Sequence, residues 1–355
     1  MKIIDSHVHL WATKDVQNLN VIREAVGADR MCIASIIDAK TINDNPALWA
    51  AKAAFPERFY GFAALDHASR VSNGACSAPS LVEQIDSLIR TGADGLKLIE
   101  SKPTHRRVPN SPMDSDYYDA AFARLEEAGL PTVWHVADPE EFWDPALTPG
   151  WASSRGWGYD STWTPKETFY AEVENVLRKH PKLKAIFAHF YFLSADLPRA
   201  AALLERYEGV RLDLAPGIEM LYNLSKTPEA AREFFIKYAD RIIFGTDIDA
   251  DGTIEHSKIR TGIITRWLES SDEYRVPDGA DYLLGPPEDG VIRGMTLPED
   301  VLEKIYAGNF EKLVGPRPKP IDKQLAIEEC ERIARETEQL GGDPASTRQA
   351  IETLR

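Results

Sequence analysis

His7 and His9 stand two apart in Asp-Ser-His-Val-His. On a β-strand, residues i and i+2 share a face, so both imidazoles project the same way and can share one metal ion. Three further groups of the same chemistry close later apolar runs: His135 after Thr-Val-Trp, His189 after Ala-Ile-Phe-Ala, and Asp247 in Phe-Gly-Thr-Asp. Nitrogen donors plus one carboxylate around an open position suit zinc, with manganese or iron as alternatives, where the ion must keep a place for water or substrate. A lone His-x-His pair is a weak signal, because two strand-end histidines can equally be hydrogen-bonded bystanders. The placement of all these groups at strand ends is what strengthens it. His180, followed by Pro181, reads instead as a side chain favoured at a helix C-terminus.

The elements that must position these groups are legible as periodicity. Short apolar runs at 3–9, 31–37, 59–65, 95–99, 132–136, 184–189, 210–214 and 241–247 predict eight strands. Amphipathic patterns at 15–26, 46–55, 80–91, 115–128, 165–180, 196–207, 227–238 and 297–313 predict helices between and after them. Strands alternating with helices require parallel pairing, and eight such units close a (β/α)8 barrel, with an open doubly wound sheet as the alternative. In a barrel the C-terminal strand ends build the site, which is where the histidines and Asp247 fall.

A barrel takes about 250 residues, which leaves room for insertions in a chain of 355. The stretch after His135 carries Trp143, Trp151, Trp157 and Trp163 among Gly and Pro before the helix at 165, too long for a plain connector, and reads as a lid or pocket wall. A second loop-rich stretch, 250–295, contains Pro277, Gly285, Pro286, Pro287 and Gly290 around one helix. Pro316, Pro318 and Pro320 then break the chain, so the sequence divides into a barrel at 1–315 and a helical extension at 316–355, whose polar helix at 323–340 packs outside the barrel.

Composition narrows the function. With 43% apolar and 27% charged residues and 3 cysteines, the chain is globular and cored, neither disordered nor a disulfide scaffold. A net charge of −15 argues against nucleic acid and anionic membrane partners. The absence of a basic segment leading into an apolar run, and three scattered cysteines without a C-x-x-C pair, favour a cytoplasmic setting.

The constellation resembles the amidohydrolase superfamily, most closely its amidohydrolase-related branch: His-x-His on strand one, a histidine each on strands five and six, Asp on strand eight in Arg-Ile-Ile-Phe-Gly-Thr-Asp, then Tyr-Ala-Gly-Asn-Phe. The resemblance spans 1–315. It implies a (β/α)8 barrel with one divalent metal, zinc foremost, held by His7, His9, His135 and Asp247, and His189 beside it as a catalytic group. The branch holds hydrolases, lactonases and non-oxidative decarboxylases of the aminocarboxymuconate-semialdehyde and resorcylate types. Two activities follow for a small carboxylated or cyclic compound. In hydrolysis Asp247 takes the proton of an activated water; in decarboxylation Asp247 or His189 delivers a proton to carbon. Lys97, in Gly-Leu-Lys-Leu-Ile, matches the position of a carboxylated lysine that bridges two metals in binuclear members of the superfamily; the plain alternative pairs it with Glu100 or Asp247. Arg106 and Arg107 are candidates for a substrate carboxylate, and His67, Tyr191 and Trp143 for the pocket lining. Members of the branch are often dimers, so the resemblance admits a homodimer and leaves the oligomeric state open. A barrel that has lost catalysis and serves as a binding or scaffold protein is the non-enzymatic alternative.

Overall fold

Apolar residues fill every predicted strand, and burial on both faces is what a parallel barrel demands of them. A computed structural model describes residues 1–72, 76–280, 284–285 and 290–355; Pro286 and Pro287 lie outside these. The strands of the main sheet are β1 (Ile4–His9), β2 (Arg30–Ala34), β3 (Phe59–Ala63), β4 (Gly95–Ser101), β5 (Thr132–Val136), β6 (Ala185–Phe187), β7 (Val210–Asp213), β8 (Ile242–Ile243) and β9 (Ile248–Asp249). They form one parallel sheet in the spatial order β8-β7-β6-β5-β4-β3-β2-β1-β9.

The segment predicted as one strand, 241–247, is two. β8 pairs β7 in the register Ile243↔Asp213, and β9 pairs β1 in the register His9↔Asp249. Between them, the Ser6 N–H donates to the Phe244 carbonyl at 3.0 Å and the Asp247 N–H to the His7 carbonyl at 2.8 Å, which closes the (β/α)8 barrel. The break has a local cause: Asp247 sits at φ 59°, a left-handed conformation that an extended strand cannot pass through. β6 stops short of its predicted end for the same reason, since His189, Phe190, Tyr191 and Phe192 all have φ between 49° and 58°.

The interior of the N-terminal end is filled by Ile4, Cys32, Tyr60, Phe62, Val133, Ile186 and Ile243, with Phe310 packed among them. Phe310 comes from the predicted 297–313 helix, which resolves into Glu299–Glu303, a π turn at Lys304–Gly308 and Asn309–Val314. Outside the barrel, the helix Leu81–Thr91 shows how the elements are delimited. Ser80 and Glu83 form a reciprocal capping box at its start, and Gly92 at φ 108° ends it.

The extension forms the predicted helix, Lys323–Gln339, and a second one, Ala345–Leu354, which the polar tail sequence did not announce. Both pack against the helix Asn45–Ala54. Trp49 and Asn45 donate to Glu329, Ser346 and Thr13 exchange hydrogen bonds, and Ala350, Ile351 and Leu354 are buried. Cys32, Cys76 and Cys330 are buried and free. Among the described residues no helix is long and apolar enough to cross a membrane.

Candidate metal centre

The C-terminal strand ends converge on a cavity of about 170 Å³ that opens to solvent. Its polar side includes His9, Lys97, His135, His189 and Asp247 together with Lys102, His105, Asp138 and Asp249, and Ile36, Ile99, Phe142, Trp157, Phe192 and Ile218 form much of its apolar side. His7 lies fully buried beneath. One donor atom each from His7, His9 and Asp247 can be chosen within 4.8 Å of one another: the Asp247 Oδ1 is 3.2 Å from His9 Nε2 and 3.7 Å from His7 Nε2.

Ring by ring, the hydrogen bonds assign the tautomers. His7 Nδ1 faces Asp213 Oδ2 at 2.9 Å, and His9 Nδ1 faces the Ala34 carbonyl at 2.8 Å. His189 Nδ1 faces the Ala215 carbonyl at 2.9 Å, and His135 Nε2 faces the Ala137 carbonyl at 2.9 Å and Asp138 Oδ1 at 3.1 Å. Each of these partners is an acceptor, so each of these nitrogens carries the proton of a neutral ring. The four remaining nitrogens present lone pairs inward. His135 Nδ1 and His189 Nε2 then meet lone pair to lone pair at 3.1 Å, and His9 Nε2 meets a carboxylate oxygen. A shared cation, whether a metal ion or a proton, relieves both contacts. Anchoring one imidazole nitrogen as a donor so that the other can ligate is also how proteins orient metal-binding histidines. The residues present therefore fit a divalent ion.

The electrostatics favour the ligand forms. Burial pulls His7 and His135 well below the usual histidine value and His189 down to about 4, keeping the imidazoles neutral. Burial alone would raise Asp247, but its hydrogen bond to His9, first among the opposing causes, and the electrostatic pull of the surrounding rings outweigh it, and its pKa lies well below the usual carboxylate range. Arg260 lies 3.9 Å from its other oxygen.

Lys97 pairs with neither Glu100 nor Asp247 as its nearest partner; its buried Nζ is 2.7 Å from His7 Nε2. Burial lowers its pKa to about 8, against the pull of Asp247 and Asp213.

The five substrate candidates lie elsewhere. Arg106 forks onto Glu172 through two bonds of 2.8 Å, and Arg107 stacks 3.4 Å from the centre of the Trp163 ring. His67 is buried between Glu100 and the Tyr117 hydroxyl, at 2.8 Å from each. The left-handed turn of 189–192 sends Tyr191 into the core against Phe187 and Tyr170. Trp143 packs on Tyr159 inside the insertion, and it is Phe142 and Trp157 that reach the cavity.

Sequence reasoning missed several groups. Asp213 accepts from His7 Nδ1 and from the His189 and Ala215 amides, and burial raises its pKa to about 6. Its signal was available, as an acid ending a strand just as His135 ends another. Asp5, raised to about 7 by burial, accepts from the His7 amide and from Thr246. Asp138, Lys102 and Trp11, the last stacked on His9 at 4.7 Å, also line the cavity; nothing in periodicity distinguishes them.

Comparison with known proteins agrees with the barrel fold. Among solved structures, the fold resembles an uncharacterised TIM-barrel protein from Bordetella bronchiseptica, at 15% identity over 88% of this chain and 98% of that one, with a TM-score of 0.53. It also resembles a probable 2-pyrone-4,6-dicarboxylic acid hydrolase from Acinetobacter baumannii with citric acid bound, at 13% identity over 89% and 100% and a TM-score of 0.51. A third is a dihydroxybenzoic acid decarboxylase from a Polaromonas species with bound manganese and 2-nitroresorcinol, at 13% identity over 88% and 96% and a TM-score of 0.51. These likenesses are of fold. No curated protein matches the sequence significantly. The amidohydrolase family model matches residues 4–315, and the chain belongs to that family.

Proposed function

We propose that the chain is a metal-dependent hydrolase of the amidohydrolase type, acting on a small carboxylated or cyclic organic compound. The observation that carries this reading is the group of His7, His9 and Asp247, whose donor atoms lie within 4.8 Å of one another, with the inward lone pairs of His135 and His189 facing each other in the same cluster of strand-end rings. His7, His9, His135 and Asp247 would hold a divalent ion, zinc foremost with manganese or iron as alternatives, and bound there it would supply Lewis acidity toward a carbonyl and toward water. Asp247 takes the proton of the attacking water as its oxygen adds to the carbonyl carbon. His189, fixed through Nδ1 on Ala215, holds the reacting group in place with Nε2. The C–O or C–N bond then breaks, and the departing group takes up the proton that Asp247 received. Phe142, Trp157 and Phe192 exclude water from the other side of the cavity.

The same aromatic wall favours a second reading, non-oxidative decarboxylation of a hydroxylated aromatic acid, in which Asp247 or His189 delivers a proton to ring carbon as CO2 leaves. Structural neighbours bearing both activities support keeping the two. Turnover of lactones, esters or amides by metal-loaded protein selects the first; CO2 release from hydroxybenzoates without consumption of water selects the second. In either case Asp247→Asn lowers kcat by about 100- to 10,000-fold while the chain stays folded. If neither class turns over, both readings fail and a binding barrel remains.

A further inference from the structure

Outside the cluster, the cavity lining holds one more imidazole among the described residues, His105, on the short helix Pro103–Arg106 that follows β4. Its ring makes one hydrogen bond, between Nδ1 and the Thr104 hydroxyl at 3.1 Å. A hydroxyl can donate or accept, so that contact alone leaves the tautomer open. The groups beyond it close the question. Burial alone would raise Asp138, but the charge of Lys102 and the hydrogen bond from His135 outweigh it and hold its carboxyl well below the usual range. As a carboxylate Asp138 can only accept, and its Oδ2 takes the Tyr159 hydroxyl proton at 2.5 Å. The Tyr159 oxygen is then the acceptor in its bond with the Thr104 hydroxyl. Thr104, its proton committed to Tyr159, accepts from His105. Nδ1 of His105 therefore carries the proton, and Nε2 carries a lone pair with no partner among the described residues.

This is the reverse of the tautomer that predominates for histidine in water, and a chain of donors ending on an anion maintains it. The same chain strengthens Nε2 as an acceptor, because each bond polarises the next. Burial, with the charge of Lys102 adding to it, lowers His105 to about 4, so the ring is neutral near pH 7. The cavity that it lines also presents Ile99, Phe142 and Trp157. A ligand that fills such a space displaces water from Nε2, and an acceptor left there without a donor costs free energy that a ligand bearing one does not incur.

Resting on the metal-site reading above, we propose that His105 Nε2 reads a hydrogen-bond donor on the substrate, so that the substrate carries, apart from the group that meets the metal, a neutral hydroxyl or N–H directed at His105. Thr104, Tyr159 and Asp138 are positioning residues that act through the ring. His105 is a specificity group distinct from the metal ligands, and it selects between compounds of the same shape and charge.

Two measurements test this on the full chain. In the metal-free protein near pH 7, the ¹⁵N NMR signals of His105, assigned by their loss in His105→Gln, show Nδ1 protonated and Nε2 unprotonated, and Thr104→Val shifts the ring toward the opposite tautomer. An Nε2-protonated ring in the wild type overturns the proposal. In the metal-loaded protein, calorimetric titration compares 3- and 4-hydroxybenzoate with their fluoro counterparts, which keep the charge and nearly the size but cannot donate. At least one hydroxyl compound binds the wild type about tenfold or more tightly than its counterpart. His105→Leu erases the preference, His105→Gln, whose amide oxygen can stand in for Nε2, restores part of it, and metal content is the same in all three. Equal binding within both pairs, binding of none of the four, or a preference that survives His105→Leu overturns the proposal; the wild-type comparison needs no variant to fold. A preference for the hydroxyl compound in protein that takes up no metal supports His105 and sinks the metal reading alone.

Discussion

At the N-terminal end of the barrel, Lys52 and Asp94 form a buried ion pair; at the C-terminal end, four imidazoles and Asp247 share a cavity floor. In the first case every group finds a partner within the chain. Lys52 donates to Asp94 and, at 2.8 Å, to the Gly92 carbonyl, while Asp94 accepts from the Gly61 amide at 2.8 Å and the Lys319 amide at 2.7 Å. In the second case the outward nitrogens are partnered, whereas inward His135 Nδ1 faces His189 Nε2 and His9 Nε2 faces the Asp247 carboxylate, and His7 Nε2 alone of the four meets a cation, Lys97. Burial alone does not mark a site. What marks it is burial with lone pairs turned on one another or on a carboxylate and no donor between them.

Variants at the two ends separate the roles. Lys52→Met strands the Asp94 carboxylate and lowers stability by about 3–5 kcal/mol, read from urea melts, with metal uptake unchanged. Asp213→Asn removes the acceptor that fixes His7 and weakens metal affinity about 10- to 100-fold, while the metal-free chain loses less stability than Lys52→Met does. Metal loss in Lys52→Met, or a larger destabilisation in Asp213→Asn, breaks the contrast.

Acid sharpens it. The unfolded chain protonates His189 near 6.5, whereas the folded chain resists until about 4 because the ring is buried, so this term removes stability as pH falls through that window, by about 1.4 kcal/mol per pH unit. Asp213, raised to about 6, acts with the opposite sign, and the comparison must be against a variant. In metal-free protein, the stability gap between His189→Gln and the wild type narrows between pH 7 and pH 5. A gap that is constant or widens contradicts the assignment.

The smallest effect belongs to Arg107→Ala. Its guanidinium stacks on Trp163 away from the cavity, so stability falls by about 0.5–1 kcal/mol and ligand affinity is unchanged. A tenfold loss of affinity for 3-hydroxybenzoate restores Arg107 to the site.

The barrel was readable because eight strands and their helices repeat one pattern, and the strand ends that carry His7, His9, His135, His189 and Asp247 follow from it. What periodicity could not supply was backbone handedness. Four left-handed residues at 189–192 bury Tyr191, and the left-handed Asp247 splits the last strand. Nor could it reveal partners made across the fold. Arg106 meets Glu172, Asp213 meets His7, and Lys102 meets Asp138 through contacts between separate segments, and these decide which cation faces the cavity.

The central claim is that His7, His9, His135 and Asp247 hold a metal ion, with His189 beside it. Elemental analysis of protein prepared without chelator and then reconstituted with zinc or manganese tests it directly. About one equivalent per chain, lost in His7→Ala, is the predicted result. Two equivalents would make Lys97 a bridging ligand, and no bound metal after reconstitution would contradict the account.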